Sequence, residues 1–345
     1  MTTSWTLDAW SKLSEAEQEA QARQLAQREL PEGFAFQRIH RHRQGEQEHQ
    51  VAEFSFGDAT FALVPGCAAT LGYDVDRPWE PTPEELRSWS GTAAAYDLDL
   101  NIKAWIAKVT MRPREVELRP FLVETESSEP GWIDLDPSDP AVLGRMPDGL
   151  SNRGVANVYA ADGVWRFWKN EAGEPRAQRQ IGTSHEAITT MLANEGGFRL
   201  PTPDEWEYIC GAGAETLFRW GDHVPCDCYP TDVSPAEAAW RREWVLSAGT
   251  LAYPEGGFES GWGLHRLPSA AGVFIASDPY KMELTQDPSI TRGGDGGSVI
   301  CGGAGFFMGW LTLATAYFED HACRRDPGDP ISVGYTVARR VLPLG

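Results

Sequence analysis

Six cysteines are the side chains of this sequence best suited to bind a soft metal ion. Thiolate sulfur is a preferred ligand of copper(I) and zinc. Cys226 and Cys228 are separated by one residue, a spacing that can bind metal in a reduced compartment. The same spacing is more often a pair of small, partly buried side chains. The full set is Cys67, Cys210, Cys226, Cys228, Cys301 and Cys323.

Histidines are the second group with metal-binding chemistry. His40 and His42 lie in a predicted hairpin, and side chains two residues apart on a strand share one face, where they could bind a metal ion. A solvated, charge-balanced strand is the preferred interpretation, because charged residues surround them. His321 lies two residues before Cys323 and is the histidine that we select as a candidate site residue. The remaining isolated histidines are His185, His223 and His265.

Hydrophobic periodicity predicts the elements that position these side chains. Residues 7–30 have an amphipathic pattern that predicts one helix, which Pro31 and Gly33 end. Apolar and polar residues alternate in two runs within residues 34–56, on either side of a polar turn, and this pattern predicts a β-hairpin. Residues 61–65 predict a third strand.

Three further helices are predicted from their first turns. Thr82, Thr183 and Thr202 are each followed by a glutamate three residues later, and this pair forms a capping box at a helix N-terminus. Proline follows Thr82 and Thr202 directly, which suits the first helical position. Each threonine is therefore predicted to cap a helix.

The rest of the chain is expected to be loop-rich. Regular periodicity nearly vanishes after residue 211, and 35 Gly with 24 Pro indicate many turns. Fourteen Trp and fourteen Phe supply anchors for long connections. With no evident linker, we expect an N-terminal helix-and-hairpin elaboration over residues 1–50 and one main domain over residues 51–345.

Charge and hydropathy exclude several classes of function. The formal charge of −20 argues against a nucleic-acid partner and against a membrane partner, since both ligands are anionic. Neither a secretion signal nor an apolar stretch long enough to span a bilayer is visible. We therefore expect a cytoplasmic protein with reduced cysteines.

Residues 197–208, read as G-F-R-L-P-T-P-D-E-W-E-Y, carry the most specific signal in the chain. Capping explains the Thr and the first Glu, but it does not require the Arg, Leu, Pro and Trp in this order. The segment resembles the R-L-P-T-x-x-E-W-E-Y signature of the formylglycine-generating-enzyme (sulfatase-modifying-factor) family. Collinear segments that also resemble this family are residues 61–66 with Gly72, 114–124, 218–221, 262–264, 292–294 or 296–298, and 333–335 with 337–339.

This resemblance implies an α+β chain with the C-type-lectin-like fold of that family: small antiparallel sheets, few helices and long loops. It also implies oxygen-dependent chemistry in which two cysteine thiolates hold copper and oxidise a cysteine of a peptide. Alignment places Cys301 at the first copper cysteine, as catalytic residue and metal ligand, but Phe306 occupies the second position. Phenylalanine cannot bind a metal, and Cys323 or the Cys226–Cys228 pair would have to substitute.

The cofactor is consequently left open between copper and iron. The iron enzymes of the family place a His-x₃-His-x-Glu arrangement in a separate helical domain, and this sequence has no such segment. Calcium is not expected at the family's usual loop, because residues 269–275 contain no Asn and no acidic residue to supply hard oxygen ligands.

Two functions compete. The preferred one is a diverged member, a pseudoenzyme candidate, that binds a peptide or small molecule. The alternative is an oxygen-dependent metal oxidoreductase with a rebuilt site near Cys301, of which formylglycine generation is the least favoured case. A Cys or His donor within roughly 4 Å of the Cys301 sulfur would favour the enzyme, and a seal of aromatic side chains would favour the binding protein. The predicted cleft residues are Trp262, Ser298, Phe306, Trp310 and His321.

Overall fold

The computed structural model describes residues 5–148, 150, 155–161, 163–170, 172–232, 234, 236, 237, 239, 240, 243, 262–318, 326–332 and 334–344. Helices in these residues are short, and most begin at a polar capping side chain. In chain order they are α1 Leu7–Ser11, α2 Glu15–Arg28, α3 Pro83–Tyr96, α4 Ile102–Val109, α5 Pro140–Leu143, α6 His185–Asn194, α7 Pro203–Gly211, α8 Ser298–Cys301 and α9 Phe306–Leu311.

The strands form small sheets that are antiparallel except for one parallel pair, β11 with β13. The strands are β1 Phe34–Gln44, β2 Gln47–Phe56, β3 Ala59–Val64, β4 Cys67–Leu71, β5 Arg114–Leu118, β6 Phe121–Glu124, β7 Trp132–Leu135, β8 Ala156–Ala160, β9 Gly163–Lys169, β10 Pro175–Gln180, β11 Met282–Leu284, β12 Thr291–Arg292, β13 Thr336–Val337 and β14 Val341–Pro343. Their orders are β1-β2-β3-β6-β14, β7-β10-β9-β8, β12-β11-β13 and β4-β5. Mixed helices and small sheets confirm the predicted α+β class.

Local capping chemistry identified two helix starts correctly and misplaced a third. Thr82 and Thr202 each form the predicted capping box, with Glu85 and Glu205 respectively. In α6 the cap is Ser184, whose hydroxyl accepts from the backbone N–H of Ala187. The prediction that Thr183 caps this helix was therefore wrong by one residue, because a second hydroxyl residue stands next to it.

The prediction of one helix over residues 7–30 was wrong in its middle. Two helices, α1 and α2, lie there instead, and Ser14 separates them. Its hydroxyl accepts from the Glu17 N–H, while the Glu17 carboxylate accepts from the Ser14 backbone. This capping box satisfies N–H groups at the start of α2. In a continuous helix the same N–H groups would donate to carbonyl oxygens of the preceding turn.

The predicted hairpin and third strand are confirmed as β1, β2 and β3. β1 pairs with β2 in register from Phe34 opposite Phe56 to Gln44 opposite Gln47, with one irregularity near Phe36. The hairpin continues the sheet of the main body through β3, so the boundary expected between residues 50 and 51 falls inside β2.

Sheet pairing separates strands that are adjacent in sequence. The expected strand pair in residues 114–124 forms as β5 and β6, but β5 pairs with β4 whereas β6 lies between β3 and β14. The four strands β7 to β10 form a sheet that the periodicity analysis did not predict.

Aromatic side chains fill the cores between these elements. Phe34, Phe54, Phe61 and Phe198 are buried together against α2, each stabilising the fold by about 1.5–3 kcal/mol. A second core, around Trp310, packs α3 and α4 against α9. Over the described residues, every helix is too short or too polar to cross a bilayer.

Candidate functional site

A buried aspartate builds the turn that presents Cys301. The Asp295 carboxylate accepts hydrogen bonds from the backbone N–H groups of Gly297 at 2.8 Å and Val299 at 2.9 Å. Burial raises the pKa of Asp295, and the N–H groups oppose that rise. Gly297 has a φ of +78°, which glycine adopts without strain. The turn leads directly into α8, so Cys301 ends a short helix.

The Cys301 thiol is exposed and free. Its sulfur lies 3.3 Å from the Tyr280 hydroxyl oxygen. Within the part of the chain that the structure describes, Cys301 belongs to no group of three or more potential metal ligands. The thiol is therefore not sealed by aromatic packing, and among the described residues it joins no three-donor group.

Phe306 stands at the first position of α9, where the resemblance implies the second thiolate. Its ring is half-buried and lies 4.8 Å from the ring of Tyr229. The following aromatic residue, Phe307, is fully buried and stacks with Trp79. Phe306 thus serves as a packing residue at the surface of the core.

The predicted cleft residues do not converge on one cavity. Trp262 and Trp310 contact each other edge to face, with ring centroids 4.7 Å apart, in a cluster that also contains His265. Ser298 lines an apolar cavity of about 490 Å³, and Phe306 lines a separate one of about 380 Å³. The other two predicted site residues, His321 and Cys323, lie outside the described residues.

A larger cleft of about 900 Å³ lies between the β7–β10 sheet and the loop over residues 277–281. Trp132, Tyr159 and Tyr335 supply aromatic surface, and the last two are well exposed. Sequence reasoning missed this cleft because it missed the sheet. The available signal was the alternation of aromatic and polar residues over residues 163–169.

Opposite charges meet on the wall of this cleft. The Lys281 ammonium donates to the Glu129 carboxylate at 2.5 Å and to the Gly334 carbonyl at 2.6 Å. The Arg166 guanidinium lies 4.1 Å from the centroid of the Trp132 ring. Burial acts to raise the pKa of Glu129, but hydrogen bonds from Lys281 and Trp132 outweigh it and leave that pKa lowered. The cleft therefore holds an ionised carboxylate and two cations beside an aromatic ring.

Gln180 and Tyr280 are two further residues of the cleft wall. Gln180 lines it, is 6% exposed, and carries a buried Oε1 atom without a hydrogen-bond partner among the described residues. Such an atom is costly unless a ligand or water donates to it. Tyr280 also lines the cleft, and its hydroxyl contacts Cys301. The exposed thiol is thus adjacent to the cleft through one side chain.

The hairpin brings His40 and His42 together with a third group, Glu53. The Glu53 carboxylate is 4% exposed and lies 3.0 Å from His42 Nε2 and 3.4 Å from His40 Nδ1. Arg38 pairs with its other oxygen at 2.7 Å. Burial acts to raise the pKa of Glu53, but hydrogen bonds from His42 and Arg38 outweigh it and lower that pKa to about 2.

The other candidate thiols lie in apolar surroundings. Cys228 is buried and Cys226 is partly buried in the core around Trp310, whose indole N–H donates to the Cys228 carbonyl. Burial raises the pKa of Cys226 to about 12, and the nearby Glu85 charge adds to the rise. Without a bound metal ion, this thiol is therefore protonated at neutral pH.

The segment corresponding to the family's calcium loop is a tight apolar turn. The Ser269 N–H donates to the Val273 carbonyl, and the Gly272 N–H donates to the Ser269 carbonyl. Ala270, Val273 and Ile275 are buried in the core next to Trp206. The side chains of this turn act in packing.

The chain matches no protein-family model. A search of curated proteins also found no significant match.

Proposed function

We propose that this chain is a diverged member of the formylglycine-generating-enzyme family, with its C-type-lectin-like fold, that binds a peptide or small molecule without copper chemistry. Support for the family comes from the collinear signature segments and from the structural part that each one plays. Arg199 pairs with Glu205 inside residues 197–208, and Glu207 of the same segment pairs with the buried Arg292.

The observation that carries the proposal is the pair of positions 301 and 306. Copper(I) in this family requires two thiolates, and soft sulfur ligands are what hold that ion. Here Cys301 is exposed next to a tyrosine hydroxyl, and Phe306 packs on Tyr229. A single exposed thiol provides one donor, which is insufficient for the two-sulfur centre.

The large cleft supplies the binding chemistry. Its aromatic walls can bury the apolar parts of a ligand, and the ionised Glu129 carboxylate lies on its wall. The net charge of −20 favours a basic ligand through long-range attraction. A basic peptide combines these features, and the resemblance suggests Cys-x-Pro-x-Arg as the sequence to test.

The binding test uses a fluorescein-labelled Cys-x-Pro-x-Arg peptide and fluorescence anisotropy. We expect saturable binding that weakens as salt is added, because exposed charges are screened. Tyr159→Ala removes an aromatic side chain from the cleft and should weaken binding about fivefold or more. The control Phe274→Ala removes an exposed ring outside the cleft and should leave affinity unchanged. Equal effects of both variants would refute the assignment of the cleft.

The chemical test separates the binding protein from the oxygen-dependent metalloenzyme. Protein loaded with copper(I) or iron(II) is incubated with the same peptide in air, and aldehyde is measured by mass spectrometry. We expect no aldehyde and no copper retained in proportion to protein. Aldehyde that disappears in Cys301→Ala would establish the alternative, with a metal site rebuilt near Cys301.

A further inference from the structure

The hairpin β1–β2 carries a cluster of nitrogen and oxygen donors that the large cleft does not use. His40 and His42 are two residues apart on β1 and therefore lie on one face. Glu53 is the register partner of Arg38 on β2, which brings its carboxylate to the same face. One ligand atom from each of these three side chains lies within 4.8 Å of the others.

We propose that His40, His42 and Glu53 form a binding site for a divalent transition-metal ion of the zinc class. Zinc binds imidazole nitrogen and carboxylate oxygen at about 2.0–2.1 Å, which places tetrahedral ligand atoms about 3.3 Å apart. The Glu53 oxygen lies 3.0 Å from His42 Nε2 and 3.4 Å from His40 Nδ1, so two of the three separations already match. The His40 side chain is 45% exposed and can turn to bring its nitrogen closer to that of His42.

The surroundings hold the donors in place. Arg38 pairs with the other Glu53 oxygen at 2.7 Å, so the carboxylate offers one oxygen to the ion from a fixed position. The His42 ring packs against the apolar turn at Gly272, beside Val51, which restricts its movement. The exposed side of His40 leaves room for a water molecule as the fourth ligand. Three protein ligands with one open position suit zinc, cobalt or iron(II) better than copper(I), which prefers sulfur.

The position of the site indicates what the ion would do. β1 is the edge strand of its sheet and pairs with β2. The helix α2 precedes β1 in the sequence. An ion bound by β1 and β2 would link the two strands and stabilise the folded hairpin by mass action. The effect inferred is therefore a gain in stability of the hairpin, and it is independent of the peptide-binding cleft.

The experiment titrates untagged, chelator-treated full-length protein with ZnCl₂ by calorimetry and with CoCl₂ by visible absorption. We expect one ion per chain, cobalt bands typical of nitrogen and oxygen ligands, and a rise in melting temperature on zinc addition. His40→Ala should weaken zinc binding by about tenfold or more and abolish the rise in melting temperature. Because His40 is partly exposed, this variant should fold normally without metal.

The matched control is His223→Ala. His223 is also a partly exposed histidine beside a buried glutamate, with Nδ1 3.2 Å from the Glu85 carboxylate, but that pair belongs to no three-donor group within the described ranges. Its removal should change zinc affinity by less than about twofold. Absence of stoichiometric binding, or binding that His40→Ala and Glu53→Gln leave intact, would overturn the proposal and leave the cluster as a network of hydrogen bonds around Glu53.

Discussion

Glu207 and Arg292 form an ion pair in which both side chains are 1% exposed, with a distance of 3.0 Å between Arg292 Nη2 and Glu207 Oε2. The two residues are 85 positions apart in the sequence. Glu207 also accepts from the Gly72 backbone N–H and from Arg114. A single carboxylate thus connects α7, the turn after β4, β5 and β12.

Two other arginine–glutamate pairs also join separate parts of the chain or stabilise a helix start. Arg199 makes a bidentate pair with Glu205 at 2.6 Å, next to the start of α7. Arg339, from the closing V-A-R segment, pairs in the core with Glu283 of β11. These residues hold loops and short strands together in a fold with little regular structure. These ion pairs therefore help to set the geometry of the scaffold.

Loss of the Glu207 charge should destabilise the protein strongly. In Glu207→Gln the buried Arg292 guanidinium loses its ionic partner, and breaking a buried pair in this way costs about 3–5 kcal/mol. Urea unfolding followed by circular dichroism measures the free energy of unfolding. The control Glu84→Gln breaks an exposed pair with Arg87 and should leave the midpoint unchanged. Equal midpoints for both variants would contradict the importance of the buried pair.

Local features of the sequence predicted local structure. Thr82 and Thr202 cap their helices because the cap and its glutamate are three residues apart, and the β1–β2 hairpin follows from alternation within one segment. The Glu207–Arg292 pair joins residues that are 85 positions apart, and the periodicity of a single segment cannot predict such a contact. The proximity of His42 and Glu53 could likewise be predicted only with the register of the β1–β2 hairpin. The large cleft depends on how the β7–β10 sheet packs against distant loops.

Stability should fall as the pH drops from about 6.5 to about 4 because of His265. This imidazole is fully buried between tryptophan rings, and burial lowers its pKa from 6.5 to about 4. In that window the unfolded chain binds a proton that the folded chain does not, so the free energy of unfolding rises with pH. The contribution is about 3 kcal/mol across the window. Urea unfolding at several pH values should show a flatter profile for His265→Phe than for the wild type, and parallel profiles would argue against this assignment.

Cys301 should be alkylated before the other described cysteines. Its thiol is exposed, whereas Cys210 and Cys228 are buried, and burial raises the pKa of Cys67 and of Cys226. A short pulse of iodoacetamide on native protein, followed by peptide mass mapping, measures the order of reaction. Denatured protein serves as the control, because all sites should then react at similar rates. Faster labelling at Cys210 in native protein would contradict the placement of Cys301 at the surface.

Gly294→Ala should damage both stability and ligand binding. Gly294 has a φ of +154°, and a Cβ atom there would overlap the carbonyl oxygens of Lys281 and Pro279. Overlap with backbone atoms can be relieved only by moving the 277–281 loop, which lines the large cleft. We expect a loss of about 2 kcal/mol or more in the free energy of unfolding, together with weaker peptide binding in the anisotropy assay.

The comparison for this variant is Gly182→Ala. A Cβ atom at Gly182 would meet no heavy atom of the surrounding described residues within 4 Å, and this glycine does not adopt a positive φ. A methyl group there restricts the unfolded chain and should change stability by less than about 1 kcal/mol. If Gly294→Ala matched Gly182→Ala in stability and in peptide affinity, residues 292–294 would not hold the 277–281 loop in place. A loss of affinity in the first variant alone would link Gly294 to peptide binding through the carbonyl groups of Pro279 and Lys281.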